Sequence, residues 1–194
     1  MNVDTIEYYN LNAEKYVVGT IDADMHAIRD HFVKYVRDNG RILDAGCGSG
    51  RDTLAFLNAG YQVDAFDASE EICRIASKTT GIKVECKRFE DLDGEEQYDG
   101  IWASASLLHV DSADLPGVIG RLKKLLCQGG IIYASFKEGS GERIKDGRYF
   151  HDMTEQKCKE LFSNAGFDML EIFSNPDVRE DHPDESWVNF IGRK

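Results

Sequence analysis

The segment ILDAGCGSGRD, residues 42–52, sets glycines at 46, 48 and 50 directly behind a short apolar run. Glycine is costly in backbone entropy, so such a cluster needs a reason. A strand, a glycine loop and a helix start leave backbone N–H groups free to face a nucleotide-like ligand. The spacing sorts the candidates. A P-loop requires Gly-Lys-Ser/Thr, and here Arg51-Asp52 follow Gly50. A G-x-G-x-x-G fingerprint starting at Gly46 requires glycine where Arg51 stands. What remains is D-x-G-x-G-x-G from Asp44, with Asp67 closing the next apolar run, YQVDAFD. A carboxylate there accepts hydrogen bonds from both ribose hydroxyls and repels a 2′-phosphate. The joint pattern predicts a nucleoside with free ribose hydroxyls and no pyrophosphate clamp, rather than a packing loop beside a surface acid.

Positioning such a loop requires a particular framework. Apolar strands are expected at 41–45, 61–66, 82–87, 98–104, 131–136, 167–173 and 187–193. Helices are expected at 5–17, 22–38, 51–60, from Ser69 onward, 114–126 and 154–164. Strands alternating with helices predict an α/β, doubly wound, mostly parallel sheet, with ligands at the carboxyl ends of its strands. The expected organisation is one domain over 1–194, with a helical cap at 1–40 and an α/β core at 41–194.

Composition narrows the function classes. With 23 Lys and Arg against 35 Asp and Glu, the formal charge is −12. That argues against a nucleic-acid substrate held on a broad basic surface, and by itself it does no more than keep a protein soluble. The five cysteines are scattered, without C-x-x-C spacing, so neither a disulfide framework nor a structural metal is expected. The start lacks a signal-peptide profile and no apolar run is long enough to cross a membrane, so the expected compartment is the cytoplasm.

ILDAGCGSGRD, VDAFDAS, YDGIWASASLLHV and LLCQGGIIYASF follow one another in an order and spacing that resembles the class I S-adenosylmethionine-dependent methyltransferases. The GSGRD continuation and short length look most similar to the small-molecule, tellurite-resistance-type branch. The resemblance implies a seven-stranded Rossmann-like sheet with its last strand antiparallel, inserted beside strand five. It implies S-adenosylmethionine as cofactor and S-adenosylhomocysteine as product. Carried over by position, Gly46, Cys47 and Gly48 would face the methionine part, Asp67 the ribose and Ala68 the adenine. Phe89 and Glu90 would flank and read the adenine ring, and Ala103 and Ser104 would border the sulfonium. Tyr16, in an A-x-x-Y stretch, would close over the cofactor, or it is a core residue of an amphipathic helix. Arg51 would pair with the methionine carboxylate, or it is a solvated surface charge.

Methyl transfer from a sulfonium needs alignment and exclusion of water, and a base only if the nucleophile arrives protonated. His109, in SLLHV, is the candidate catalytic base; its alternative is a structural hydrogen bond to a neighbouring loop. Amino-methylating relatives usually carry Asn/Asp-Pro-Pro-aromatic after strand four, where this chain reads Ala103-Ser104-Ala105-Ser106. The insertion 137–154 is the most basic stretch, so Arg143, Arg148 and Tyr149 are the expected substrate-binding residues for an anionic group, against a solvated loop. The segment 174–186 is expected to be a surface connection reaching over the substrate side. A small-molecule acceptor is the expected partner. The alternatives are an RNA- or protein-directed methyltransferase and a non-catalytic cofactor-binding module.

Overall fold

Side-chain alternation along three central strands splits the molecule into two packed faces. In β1 (Arg41–Ala45), β4 (Tyr98–Ala103) and β5 (Leu126–Lys137), the residues Leu43, Ile101 and Ile132 point to one cluster. Their neighbours Ile42, Trp102 and Ile131 point to the other. A period of two means that each such strand is buried on both sides, as a helix-covered parallel sheet requires.

The computed structural model describes residues 3–179 and 182–194. The remaining strands are β2 (Gln62–Asp67), β3 (Glu85–Cys86), β6 (Gly141–Lys145), β7 (Arg148–Asp152), β8 (Asp168–Pro176) and β9 (Ser186–Arg193). Together with β1, β4 and β5, four of these form a seven-stranded sheet in the order β3-β2-β1-β4-β5-β9-β8, with β9 antiparallel to both neighbours. The expected fold is the observed one, and WVNFIGR occupies the place expected for the last strand. One face is covered by α5 (Leu115–Leu125) and α6 (Glu155–Asn164), which bury Leu122 and Phe162. The other is covered by α2 (His26–Val33) and α3 (Arg51–Asn58), which bury Phe32 and Phe56 against Trp102. α4 (Glu70–Thr80) is capped by the Ser69 hydroxyl, which accepts from the Ile72 N–H. The long first helix, α1 (Val3–Val18), lies against α4 and β7 and is interrupted at Asn12.

Several expected boundaries move, each for a visible reason. α2 ends at Val33 instead of 38, because i→i−3 bonds from Tyr35 to Phe32 and from Val36 to Val33 tighten the chain there. The third strand shrinks to Glu85–Cys86, since it pairs only with the last two residues of β2. β5 starts at Leu126 rather than after Gly129-Gly130, joined to α5 without a loop. The basic insertion is no solvated loop: β6 and β7 form a hairpin whose Tyr149 and Phe150 are buried.

Candidate active site

β1 stops at Ala45, and the Gly46 and Cys47 N–H groups both donate to the Phe66 carbonyl at 3.0 Å, tying the glycine turn to the end of β2. Gly46 has φ +79°, and a Cβ there would stand 2.5 Å from the Ser106 Cβ. Gly48, at φ +54°, has the Tyr16 hydroxyl 2.8 Å from where its Cβ would be. At both positions only glycine lets the backbone turn and lets its neighbour approach. The Asp67 carboxylate accepts the Gly48 N–H at 3.1 Å on one oxygen and the Ser69 N–H at 3.0 Å on the other. Burial raises its pKa, against those hydrogen bonds. Each oxygen keeps a lone-pair direction for a further donor.

Two cavities meet above the strand ends. The smaller, of about 30 Å³, is walled by Asp67, Ala68, Phe66, Ile72 and Phe89 beneath Ile6 of α1. The larger, of about 400 Å³, runs from Asp44 and Arg51 past Ser104 to the β6–β7 hairpin and the connection from β8 to β9. Tyr9, Tyr16, Gly46, Ala105 and His109 line both.

These walls suit a nucleoside sulfonium amino acid. An acid stands where a ribose diol would lie, and apolar side chains where a flat base would lie. In the larger cavity, Asp44 is a buried carboxyl that accepts the Thr53 hydroxyl at 2.5 Å. Burial and then the Asp52 charge push its pKa up to about 7. An ammonium group is the partner such a carboxyl lacks. The glycine cradle completes the fit.

The structure brings most of the expected cofactor residues to these walls. Tyr16, Gly46, Cys47, Gly48, Arg51, Asp67, Ala68, Phe89 and Ser104 all line one or both cavities. The Cys47 thiol is buried and its pKa is raised by that burial, as befits a filler. Ala103 packs into the core, and neither it nor Glu90 reaches a wall. Arg51 is no solvated charge: it forks Asp52 through Nε at 3.1 Å and Nη2 at 2.7 Å and donates to the Thr20 carbonyl. Asp52 also accepts from Arg29 at 2.7 Å and from the Trp102 indole at 3.0 Å. Burial pushes its carboxyl up, and the Arg51 and Arg29 guanidiniums more than reverse that.

His109 is 4% exposed and both its ring nitrogens are engaged. Nδ1 lies 2.6 Å from the Tyr149 carbonyl, and Nε2 lies 2.9 Å from the Tyr9 hydroxyl. A carbonyl only accepts, so Nδ1 carries the proton and Nε2 accepts from Tyr9. Burial lowers its pKa to about 4, and the Arg148 charge pushes the same way. The Tyr149 side chain does not face the cavity; its hydroxyl accepts the Ser112 N–H.

Among the expected anion-binding residues, Arg143 lines the cavity but forks Asp152. Arg148 lies over Tyr8 at 4.5 Å and Phe150 at 5.2 Å, and its buried Nε has no hydrogen-bond partner. The 174–186 connection does reach the cavity, through Asn175, Asp177 and Glu185; its residues 180 and 181 lie outside the described residues. Sequence reasoning missed Lys137, whose ammonium binds Asp177 at 2.9 Å and also Glu185, over the Trp187 ring. It also missed Ala105, held at φ +51° with its N–H donated to the Ser135 hydroxyl. A non-glycine residue in that region marks stored strain beside a site.

Comparison with known proteins agrees with this geometry. The methyltransferase domain family model matches residues 42–130. An uncharacterized methyltransferase of Staphylococcus carnosus is 24% identical over 159 residues, 74% of this chain and 77% of its own length. The ribosomal protein L11 methyltransferase of Aquifex aeolicus is 30% identical over 143 residues, covering 69% of this chain but only 52% of the relative. The solved 1,6-didemethyltoxoflavin-N1-methyltransferase of Burkholderia thailandensis, with 1,6-didemethyltoxoflavin and S-adenosylhomocysteine bound, superposes with a TM-score of 0.84 at 23% identity. That superposition covers 98% of this chain and 87% of the other, and shows the shared fold. The family model spans just under half of the chain, and together with the shared fold it supports a class I S-adenosylmethionine-dependent methyltransferase with S-adenosylmethionine as cofactor. These matches do not place it in the tellurite-resistance-type branch.

Proposed function

We propose that the protein transfers the cofactor's methyl group to a small molecule held in the larger cavity. The observation that carries this reading is the enclosure of about 400 Å³ between the glycine turn, α1, the β6–β7 hairpin and the β8–β9 connection. Small-molecule sites usually fall between about 300 and 1,000 Å³, with apolar walls and a few converging polar groups. The toxoflavin enzyme, similar over nearly the whole chain, supports it.

When bound, S-adenosylmethionine supplies an electrophilic methyl on sulfur. The chain's own residues do the rest. Asp67 binds the ribose hydroxyls through its unused lone pairs, beside Ala68 and Phe89 against the base. Gly46, Cys47 and Gly48 present backbone to the methionine part, Asp44 meets its ammonium, and Arg51 its carboxylate. Tyr16 covers the turn, with Ser104 beside the reacting centre. Of the cations on the cavity wall, Arg143, Lys137 and Lys145 each have a carboxylate of their own. Arg148 meets the exposed Asp146 carboxylate only at 3.6 Å and keeps its buried Nε–H in hand, so it is the anchor for an anionic group on the acceptor. His109 receives the acceptor's proton.

Incubating the protein with methyl-labelled S-adenosylmethionine and a metabolite extract, with tRNA and total protein as parallel acceptors, tests this. Label in one low-molecular-weight product is expected. Label in the RNA or protein fraction overturns the small-molecule reading, and cofactor binding without any labelled product assigns a non-catalytic role.

A further inference from the structure

Tyr9 stands where the two cavities meet, and the direction of its hydroxyl hydrogen is fixed from behind. The His109 Nδ1–H is spent on the Tyr149 carbonyl, so the buried Nε2 presents a lone pair whose donor is the Tyr9 hydroxyl at 2.9 Å. A buried acceptor without a donor is costly, so the hydrogen stays on that side. The Arg148 guanidinium also donates to this oxygen, so Tyr9 offers one remaining lone pair, and no hydrogen, to the junction. The ring is clamped edge-on by Tyr16, with centroids 5.0 Å apart, and by His109 at 5.5 Å. Arg148, the charged group beside this hydroxyl, disfavours a proton on His109.

We propose that Tyr9 Oη is the hydrogen-bond acceptor for the reacting atom of the substrate, with His109 as its positioning residue, so that the acceptor class is a neutral N–H or O–H nucleophile. This rests on the methyl-transfer reading above and goes beyond it by selecting the nucleophile. A proton-free nitrogen would meet a lone pair with a lone pair and gain no such bond. As the nucleophile's lone pair becomes the new bond to carbon, the carbon–sulfur pair stays with sulfur and the N–H or O–H acidifies. Its proton then passes to Tyr9 Oη while Tyr9's own passes to His109 Nε2, and Nδ1–H keeps the Tyr149 carbonyl. A ring held near 4 takes that proton only late, once the nucleophile has been acidified. No separate base of ordinary strength is required.

Two measurements on the complex with S-adenosylhomocysteine test the proposal. In ¹⁵N-histidine spectra, His109 is expected as the neutral Nδ1–H tautomer at neutral pH. Phenol and its methyl ether anisole serve as probes with and without the proton. Titrated by NMR, phenol is expected to bind about tenfold more tightly than anisole, the equivalent of one ordinary hydrogen bond, and to shift the His109 Nε2 resonance. In Tyr9→Phe both the preference and the shift are lost, which mere loss of packing would not produce. Equal affinity of the two probes for the native protein (including no binding of either), a preference that survives in Tyr9→Phe, or an Nε2–H tautomer overturns the proposal. Failure to bind S-adenosylhomocysteine would instead sink the methyl-transfer reading itself.

Discussion

At the scale of single residues, the site is a set of carboxylates given different work by their surroundings. Asp67 is held by one backbone N–H per oxygen and still has capacity to accept, whereas Asp52 is saturated by two guanidiniums and an indole. Asp67→Ala is expected to weaken S-adenosylhomocysteine binding by roughly 1.5–3 kcal/mol in calorimetry, the worth of charge-assisted hydrogen bonds. Asp44, with its pKa raised to about 7, is largely protonated at about pH 6 and ionised at about pH 8. An incoming ammonium favours the charged form. Cofactor binding should therefore release most of a proton near the lower pH and almost none near the upper. Calorimetry in buffers of different ionisation enthalpy reads that difference, and Asp44→Asn should abolish it. Because the folded pKa lies above the unfolded one, the same group makes the unliganded protein lose stability as pH rises from about 4 through 7. The glycine turn and Asp67 were legible in the sequence because each is specified within its own strand end. The seat of His109 was not, since its partners are a tyrosine hydroxyl 100 positions away and a backbone carbonyl 40 positions away.

Among the secondary elements, α1 has the most to do with ligand entry. It supplies Tyr8, Tyr9 and Tyr16 to the larger cavity and Ile6 to the roof of the smaller one. The space of about 30 Å³ below that roof is far less than a nucleoside needs. The break at Asn12, with φ −116°, gives the helix a place to yield. Hydrogen exchange along 3–18 should change when S-adenosylhomocysteine is added, while exchange along β4 stays protected. Unchanged exchange in α1 would mean that the roof does not move. The sequence placed a helix at 5–17, inside the observed α1. It did not announce the β6–β7 hairpin, whose glycines and mixed charges read as a loop. What orders that stretch is long-range burial of Tyr149 and Phe150, together with the bond from the Tyr149 N–H to the Thr5 hydroxyl. Likewise, Arg51 read evenly as ligand or surface charge because Arg29 and Trp102, which share Asp52 with it, lie on other elements.

On the scale of the whole molecule, the sheet ties these parts to one rigid floor. Trp102, fully buried and stacked on Tyr133 with centroids 3.9 Å apart, joins β4 to β5 and, through Asp52, to α3 and Arg29 of α2. Trp102→Ala is expected to cost about 3–5 kcal/mol in urea denaturation, through the void and the missing donor to Asp52. A loss below about 1 kcal/mol would show that this joint does not hold the molecule together. The doubly wound architecture was legible because strand and helix periods alternate along the chain. The order of assembly is another matter. β8 hangs on the sheet through β9 alone, although β9 follows it in the chain. During synthesis on the ribosome, β8 therefore emerges before the neighbour that gives it a berth. Its pairing, and with it the pocket wall formed by the β8–β9 connection, is completed only when β9 lies beside β5.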